Sequence, residues 1–228
     1  MTAGGAVLLA GATGLVGGRV LARWLAADHG PLVIAPVRRP LPFQHPRLHA
    51  LVGKWDGAAL ADALAGAGQP LRAYACCLGT TIRQAGSREA FLAVDRDLVL
   101  ALAESARGLG ARQALLVSSV GASAQSGNFY LRVKGEAERG LAALGFERVD
   151  CLRPGLLLGE RAERRRAEGL GQRLAPLANP LMRGPLRRYR AIGADTVAGA
   201  MVALAGRPEE GRFVHEYDAL VALASGQG

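Results

Sequence analysis

Lysine is almost missing from this chain. Lys54 and Lys134 stand against 26 arginines in 228 residues. Cysteine is nearly as scarce: Cys76 and Cys77 are adjacent and Cys151 stands apart. That number and spacing exclude a disulfide framework and give no metal-ligand pattern. Cys76 and Cys77 close an apolar run and read as small buried hydrophobes, with redox chemistry the alternative. A reducing, cytoplasmic setting is expected. The four histidines, His29, His45, His49 and His215, show no ligand spacing, so no metal is expected. No apolar run reaches 18 residues, so no membrane span is expected. The opening "MTAGGAVLLAGATG" lacks a basic leader and does not read as a signal peptide. Aromatic residues make up only 5% of the chain while half is hydrophobic, so the core must be aliphatic.

The net charge of +9 is unevenly placed. Between Arg161 and Arg190 nine arginines face only Glu163 and Glu168, a local net of +7. The remainder is close to balanced. The segment lacks the interleaved aromatics of a nucleic-acid surface. It reads instead as a solvated or anion-facing loop, a lid or substrate loop over a small-molecule substrate.

Short apolar runs at 6–11, 31–37, 48–53, 71–79, 112–119 and 148–155 read as buried strands. Helical patterns fall between them at 15–28, 57–67, 88–107 and 127–144. A further helix is expected at 195–205 with Asp195 as N-cap, then a short "RFVHEY" strand and a final helix. Continuous apolar strands alternating with helices predict a parallel sheet covered on both faces. There is no internal repeat and no low-complexity linker. The fold class is α/β, a doubly wound Rossmann-type sheet in one domain over 1–228. Residues to about 155 form the cofactor core, and 156–228 a small substrate-side elaboration.

At the first strand–helix junction stand Gly11, Gly14 and Gly17, in "VLLAGATGLVGGRVL". Glycine permits a tight turn and close backbone approach. The helix that follows offers free N–H groups and a positive dipole end to a pyrophosphate. Where such a site usually carries an acid for the ribose of NAD, the second strand ends in Arg38 and Arg39. A guanidinium fork suits a 2′-phosphate. NADP is therefore the expected cofactor, with two solvated arginines as the plain alternative.

Tyr130 and Lys134 are one helical turn apart. They follow Ser118 and Ser119, which close the fifth strand, so hydroxyls, a phenol and an ammonium meet at the carboxyl end of the sheet. Ligands bind at that end. A carbonyl that accepts a hydride must also gain a proton. A phenol gives up its proton only near pH 10, and a compact positive charge close by favours the phenolate. Lysine supplies such a charge and can also relay protons, which arginine cannot. The alternative is a surface Lys134 paired with Glu138.

"GATGLVGG", the serine pair, "YLRVK" and "LRPG" together resemble the short-chain dehydrogenase/reductase superfamily. "CCLGTTIRQAGSREAFLAVDRDL", "SSVGASAQSGNFYLRVKGEAE" and "LRPGLLLGER" are similar to its atypical branch that includes the Tat-interacting oxidoreductase family. The likeness covers about residues 6 to 204. It implies a Rossmann fold binding NADP(H), with Gly11, Ala12, Thr13, Gly14, Leu15, Val16 and Gly17 around the phosphates. It implies Arg38 and Arg39 on the 2′-phosphate, and Leu78, Gly79 and Thr80 on the adenosine side. Pro154, Gly155 and Leu157 would flank the nicotinamide. Tyr130 would donate the proton with Lys134 as its partner, and Ser119, or else Ser118, would orient the carbonyl. Many superfamily members carry Asn where "FLAVDRDL" offers Asp95, which puts a full proton relay in doubt. Two readings stay open: an NADPH-dependent reductase of a carbonyl, quinone or sugar-derived substrate, and a dinucleotide-sensing regulatory protein with little turnover.

Overall fold

The computed structural model describes residues 5–53, 55–159 and 182–226. Its centre is a seven-stranded, all-parallel sheet. The strands are β1 (Ala6–Ala10), β2 (Leu32–Val37), β3 (Leu48–Val52), β4 (Leu71–Cys76), β5 (Gln113–Val117) and β6 (Arg148–Leu152), with β9 (Gly211–His215) at one edge. The spatial order is β3-β2-β1-β4-β5-β6-β9. Chain direction across the sheet reverses between β1 and β4, which opens the crevice where ligands of such sheets sit.

Alternate side chains of each strand enter opposite layers. Val7, Leu9, Ala35 and Leu115 pack under α1 (Gly17–Ala26) with Trp24 and the C-terminal helices. Leu8, Ile34, Tyr74 and Leu116 pack on the other face under α2 (Gly57–Ala67), α5 (Leu98–Gly108) and α6 (Phe129–Ala143). The core is aliphatic as its composition requires. Tyr74 is fully buried and donates its hydroxyl to the Val99 carbonyl at 2.9 Å.

The pattern expected as one helix over 88–107 is broken. Helix α4 (Arg88–Leu92) passes through a π-turn, Ala93–Asp97, into α5. Two further helices also differ from expectation. Helix α3 (Ile82–Ala85) fills the 78–87 connection, capped by Thr81. Helix α7 (Ala194–Leu204) starts from Gly193, so Asp195 is not its N-cap. Asp195 lies in the first turn and is bound to Arg19 of α1 at 3.1 Å, fastening the two helices together.

A small second sheet joins β7 (Leu157–Leu158) to β8 (Ile192–Gly193). A 3-10 helix, Gly184–Tyr189, precedes β8 and helix α8 (Tyr217–Ala224) follows β9. Most of the arginine-rich segment expected as a lid lies outside the described residues. Among the described residues no helix is long and apolar enough to cross a membrane.

Candidate functional site

The site is built on backbone that leaves no room for side chains. Gly11 ends β1 with φ +81°, and a Cβ there would stand 2.7 Å from the Cys77 carbonyl beyond β4. At Gly17 a Cβ would stand 2.1 Å from the Gly11 carbonyl oxygen. The turn is therefore folded tightly against the end of β4. Gly14 donates its N–H to Gly11 at 2.9 Å. Thr13 and Gly14 lie exposed at the rim, Ala12, Val16 and Gly17 are buried, and Leu15 is half-buried. Among the described residues the Thr13 and Leu15 N–H groups donate to no carbonyl. A glycine turn open at its rim, with free N–H groups at the start of a helix, fits a dinucleotide pyrophosphate.

Leu78, Gly79 and Thr80 leave β4 beside this turn, and Leu78 packs on the core. Arg38 and Arg39 end β2, the strand next to β1, and both are exposed. Neither has a hydrogen-bond or ion-pair partner among the described residues. Pro154 is buried at the end of β6, and its carbonyl accepts the Val120 N–H at 3.0 Å. Gly155 lies against Tyr189 and Arg190, where a Cβ would meet the Arg190 carbonyl at 2.5 Å. Leu157 opens β7 and packs on the core.

Helix α6 begins at Asn128, whose side chain accepts the Leu131 N–H at 3.2 Å. That cap sets Tyr130 in the first turn and Lys134 one turn on. Tyr130 is half-buried against Phe91, with ring centres 5.9 Å apart. Gly135 lets the helix lie on the Ser123–Ala124 backbone, where a Cβ would be 2.2 Å from Ser123. Of the serine pair, Ser119 is half-buried and donates weakly to its neighbour's carbonyl at 3.4 Å. Ser118 is buried, and its hydroxyl has no partner among the described residues.

Lys134 is not a surface residue. It is 4% exposed, and its Nζ lies 2.7 Å from Oδ1 of Asp95, which is fully buried. Burial disfavours the ammonium, but the Asp95 carboxylate, with Tyr130 and Cys76 adding to it, outweighs that effect and holds the Lys134 pKa above the ordinary lysine value. The second Asp95 oxygen accepts the Thr80 N–H at 2.9 Å. Glu138, the expected surface partner of Lys134, is instead bound by Arg153. Burial raises the pKa of Cys76 and of Cys77 and pushes Cys151 up to about 12, so none presents a thiolate.

One buried cluster is not singled out by the sequence. Asp150 on β6 is fully buried and accepts from Arg148, Gln113 and His215 at 2.7 to 2.9 Å. The signal was present in "RVDCL", where two charges sit inside a strand pattern. Among the described residues no group of three acids, cysteines or histidines could hold a metal.

Relatives of this chain were found among curated proteins. Protein FMP52 of Eremothecium gossypii is 37% identical over 217 residues, covering 95% of this chain and 88% of that one. The chain belongs to the FMP52 family. Protein HTATIP2 of Rattus norvegicus is 47% identical over a shorter stretch of 98 residues, 43% of this chain and 40% of that one. These relatives bear out the resemblance to the Tat-interacting family. No family model matches the chain. Among solved structures, MoeE5 in complex with UDP-glucose and NAD superposes with a TM-score of 0.66 at 18% identity, covering 97% of this chain and 81% of that one. At that identity the likeness shows the Rossmann fold. The FMP52 relatives are named mitochondrial proteins, which overturns the expectation of a cytoplasmic setting drawn from the cysteines. Scarce cysteine marks a reducing compartment, and it does not separate one such compartment from another.

Proposed function

We propose that this chain is an NADP(H)-dependent oxidoreductase that reduces a carbonyl, quinone or sugar-derived substrate. The observation that carries the reading is Lys134, buried on the Tyr130 helix against Asp95 and the turn after β4 although its charge is costly to bury. A buried ammonium at the carboxyl end of a Rossmann sheet has a task beyond solubility.

The glycine turn and the N-terminus of α1 hold the pyrophosphate, and Arg38 and Arg39 take a 2′-phosphate. Leu78, Gly79 and Thr80 line the adenosine side, and Pro154, Gly155 and Leu157 flank the nicotinamide. When bound, the nicotinamide supplies or accepts hydride. Tyr130 gives its phenolic proton to the substrate oxygen as that oxygen gains charge. Ser119, or the unpartnered Ser118, orients the carbonyl by donating a hydrogen bond. Lys134 presents fixed positive charge and donors to the ribose and the phenol.

A second reading is a protein that binds the dinucleotide and signals its state with little turnover. The Asp95–Lys134 pair favours it to this extent: the lysine charge is already matched by a carboxylate, which leaves less of it to act on the phenol.

Cofactor choice tests the first step. NADPH and NADH are titrated into the protein and into Arg38→Asp. The reading expects much tighter binding of NADPH, and a gap that narrows or reverses in the variant. Equal affinities in the unmodified protein would remove the NADP assignment.

A further inference from the structure

Asp95 lies in the π-turn between α4 and α5 and is fully buried, while Asp97 stays outside on Arg96 at 2.7 Å. A carboxylate with no exposure needs partners. Asp95 has two, on two other elements: the Thr80 N–H in the turn after β4 and the Lys134 ammonium on α6. Gly79 lies directly over the pair. A Cβ at that position would stand 3.7 Å from both Asp95 Oδ1 and Lys134 Nζ.

We propose that Asp95 is a positioning residue that ties the 78–80 turn to the Tyr130–Lys134 helix and keeps Lys134 a permanent cation. Lys134 then serves the crevice as a fixed charge and hydrogen-bond donor, not as a carrier of protons. The carboxylate is needed for its charge. An amide oxygen at the same place could still accept the Thr80 N–H but would leave the buried ammonium without a counter-ion. The other groups that act on Lys134 are Tyr130 on its own helix and the buried Cys76 thiol at the end of β4. The pKa of Cys76 is raised by its burial, so it adds no charge at neutral pH. Direction agrees with this geometry, since the Lys134 pKa is raised despite burial.

The role in the crevice rests on the dinucleotide reading, but the charge state of Lys134 can be measured without any cofactor. Lys54→Arg leaves Lys134 as the sole lysine. With 13C-labelled lysine, one Cε resonance then reports its protonation. In the cofactor-free protein this resonance should keep its ammonium shift to about pH 10.4 or beyond. In Asp95→Asn its midpoint should fall by about one pH unit or more. Amide exchange at Thr80 should stay slow in Asp95→Asn and quicken in Asp95→Ala. A Lys134 midpoint below the ordinary lysine value in the unmodified carboxylate protein would overturn the proposal, even if neither variant folds. Equal midpoints in the Asp and Asn proteins would overturn it too. NADPH added to the same sample tests the other reading: an unmoved Cε resonance with a high midpoint would reject dinucleotide contact and leave the role of Asp95 standing.

Discussion

Glu138 on α6 is held by Arg153, the first residue beyond β6, through both arms of the guanidinium, with Nε at 2.9 Å. The pair joins the helix that carries Tyr130 to the strand end that leads to Pro154. It also leaves Lys134, one turn earlier, to Asp95 alone. Arg153→Met should therefore cost stability, about 1–3 kcal/mol for a charged, partly buried hydrogen-bonded pair. NADPH affinity should change little. Urea unfolding beside a binding titration separates the two effects; a large loss of affinity with unchanged stability would place Arg153 in the site instead.

The glycine turn gives a paired prediction. Gly17→Ala would put a methyl 2.1 Å from the Gly11 carbonyl oxygen, so the turn must open. NADPH affinity should drop at least about tenfold, roughly 1.4 kcal/mol. Gly66, inside α2, has nothing within 4 Å of an added Cβ. Gly66→Ala should stabilise by about 0.5–1 kcal/mol, or roughly 1–4 °C in Tm, and leave binding untouched. Similar binding losses in both variants would deny the turn its special role.

The Asp150 cluster predicts a dependence on acid. Burial works against its charge, but hydrogen bonds from His215, Arg148 and Gln113 prevail and hold its pKa below the ordinary aspartate value. A depressed carboxylate pKa contributes stability that is complete above about pH 3.9, its unfolded value, and is lost as pH falls through the folded value. Asp150→Asn leaves Arg148 buried with only the exposed Glu209 as charged partner. It should cost about 3 kcal/mol at pH 7 and flatten the acid limb of the stability curve. Urea midpoints from pH 7 down to pH 3 give the comparison. An acid limb as steep as that of the unmodified protein would mean that other carboxylates carry it.

The order of strands and helices through β6 was legible in the sequence, because buried parallel strands are written as unbroken apolar runs and the turns as glycine. The glycine turn was legible for the same reason: close approach to Cys77 excludes any side chain at Gly11. Lys134 stood out by residue type alone. Its partner was harder to read. Asp95 was singled out only as the residue standing where many superfamily members carry Asn, and a π-turn has no distinct sequence signature that would pair it with Lys134. The spacing of Lys134 and Glu138 pointed to a local pair, and a tertiary contact from Arg153 took Glu138 away. Asp195 looked like a cap because acids favour helix starts. Its carboxylate instead meets Arg19 on a helix far away in sequence.

In the proposed reaction Tyr130 hands a proton to the substrate that is reduced. The most direct measurement is NADPH oxidation with a panel of carbonyls and quinones, for the unmodified protein and Tyr130→Phe at saturating NADPH. Turnover is expected in the first, a loss of about 100-fold or more in the second, and NADPH affinity that stays within about twofold. Undiminished turnover in Tyr130→Phe would contradict it, and no turnover from the unmodified protein while NADPH binds would leave the sensing function in its place.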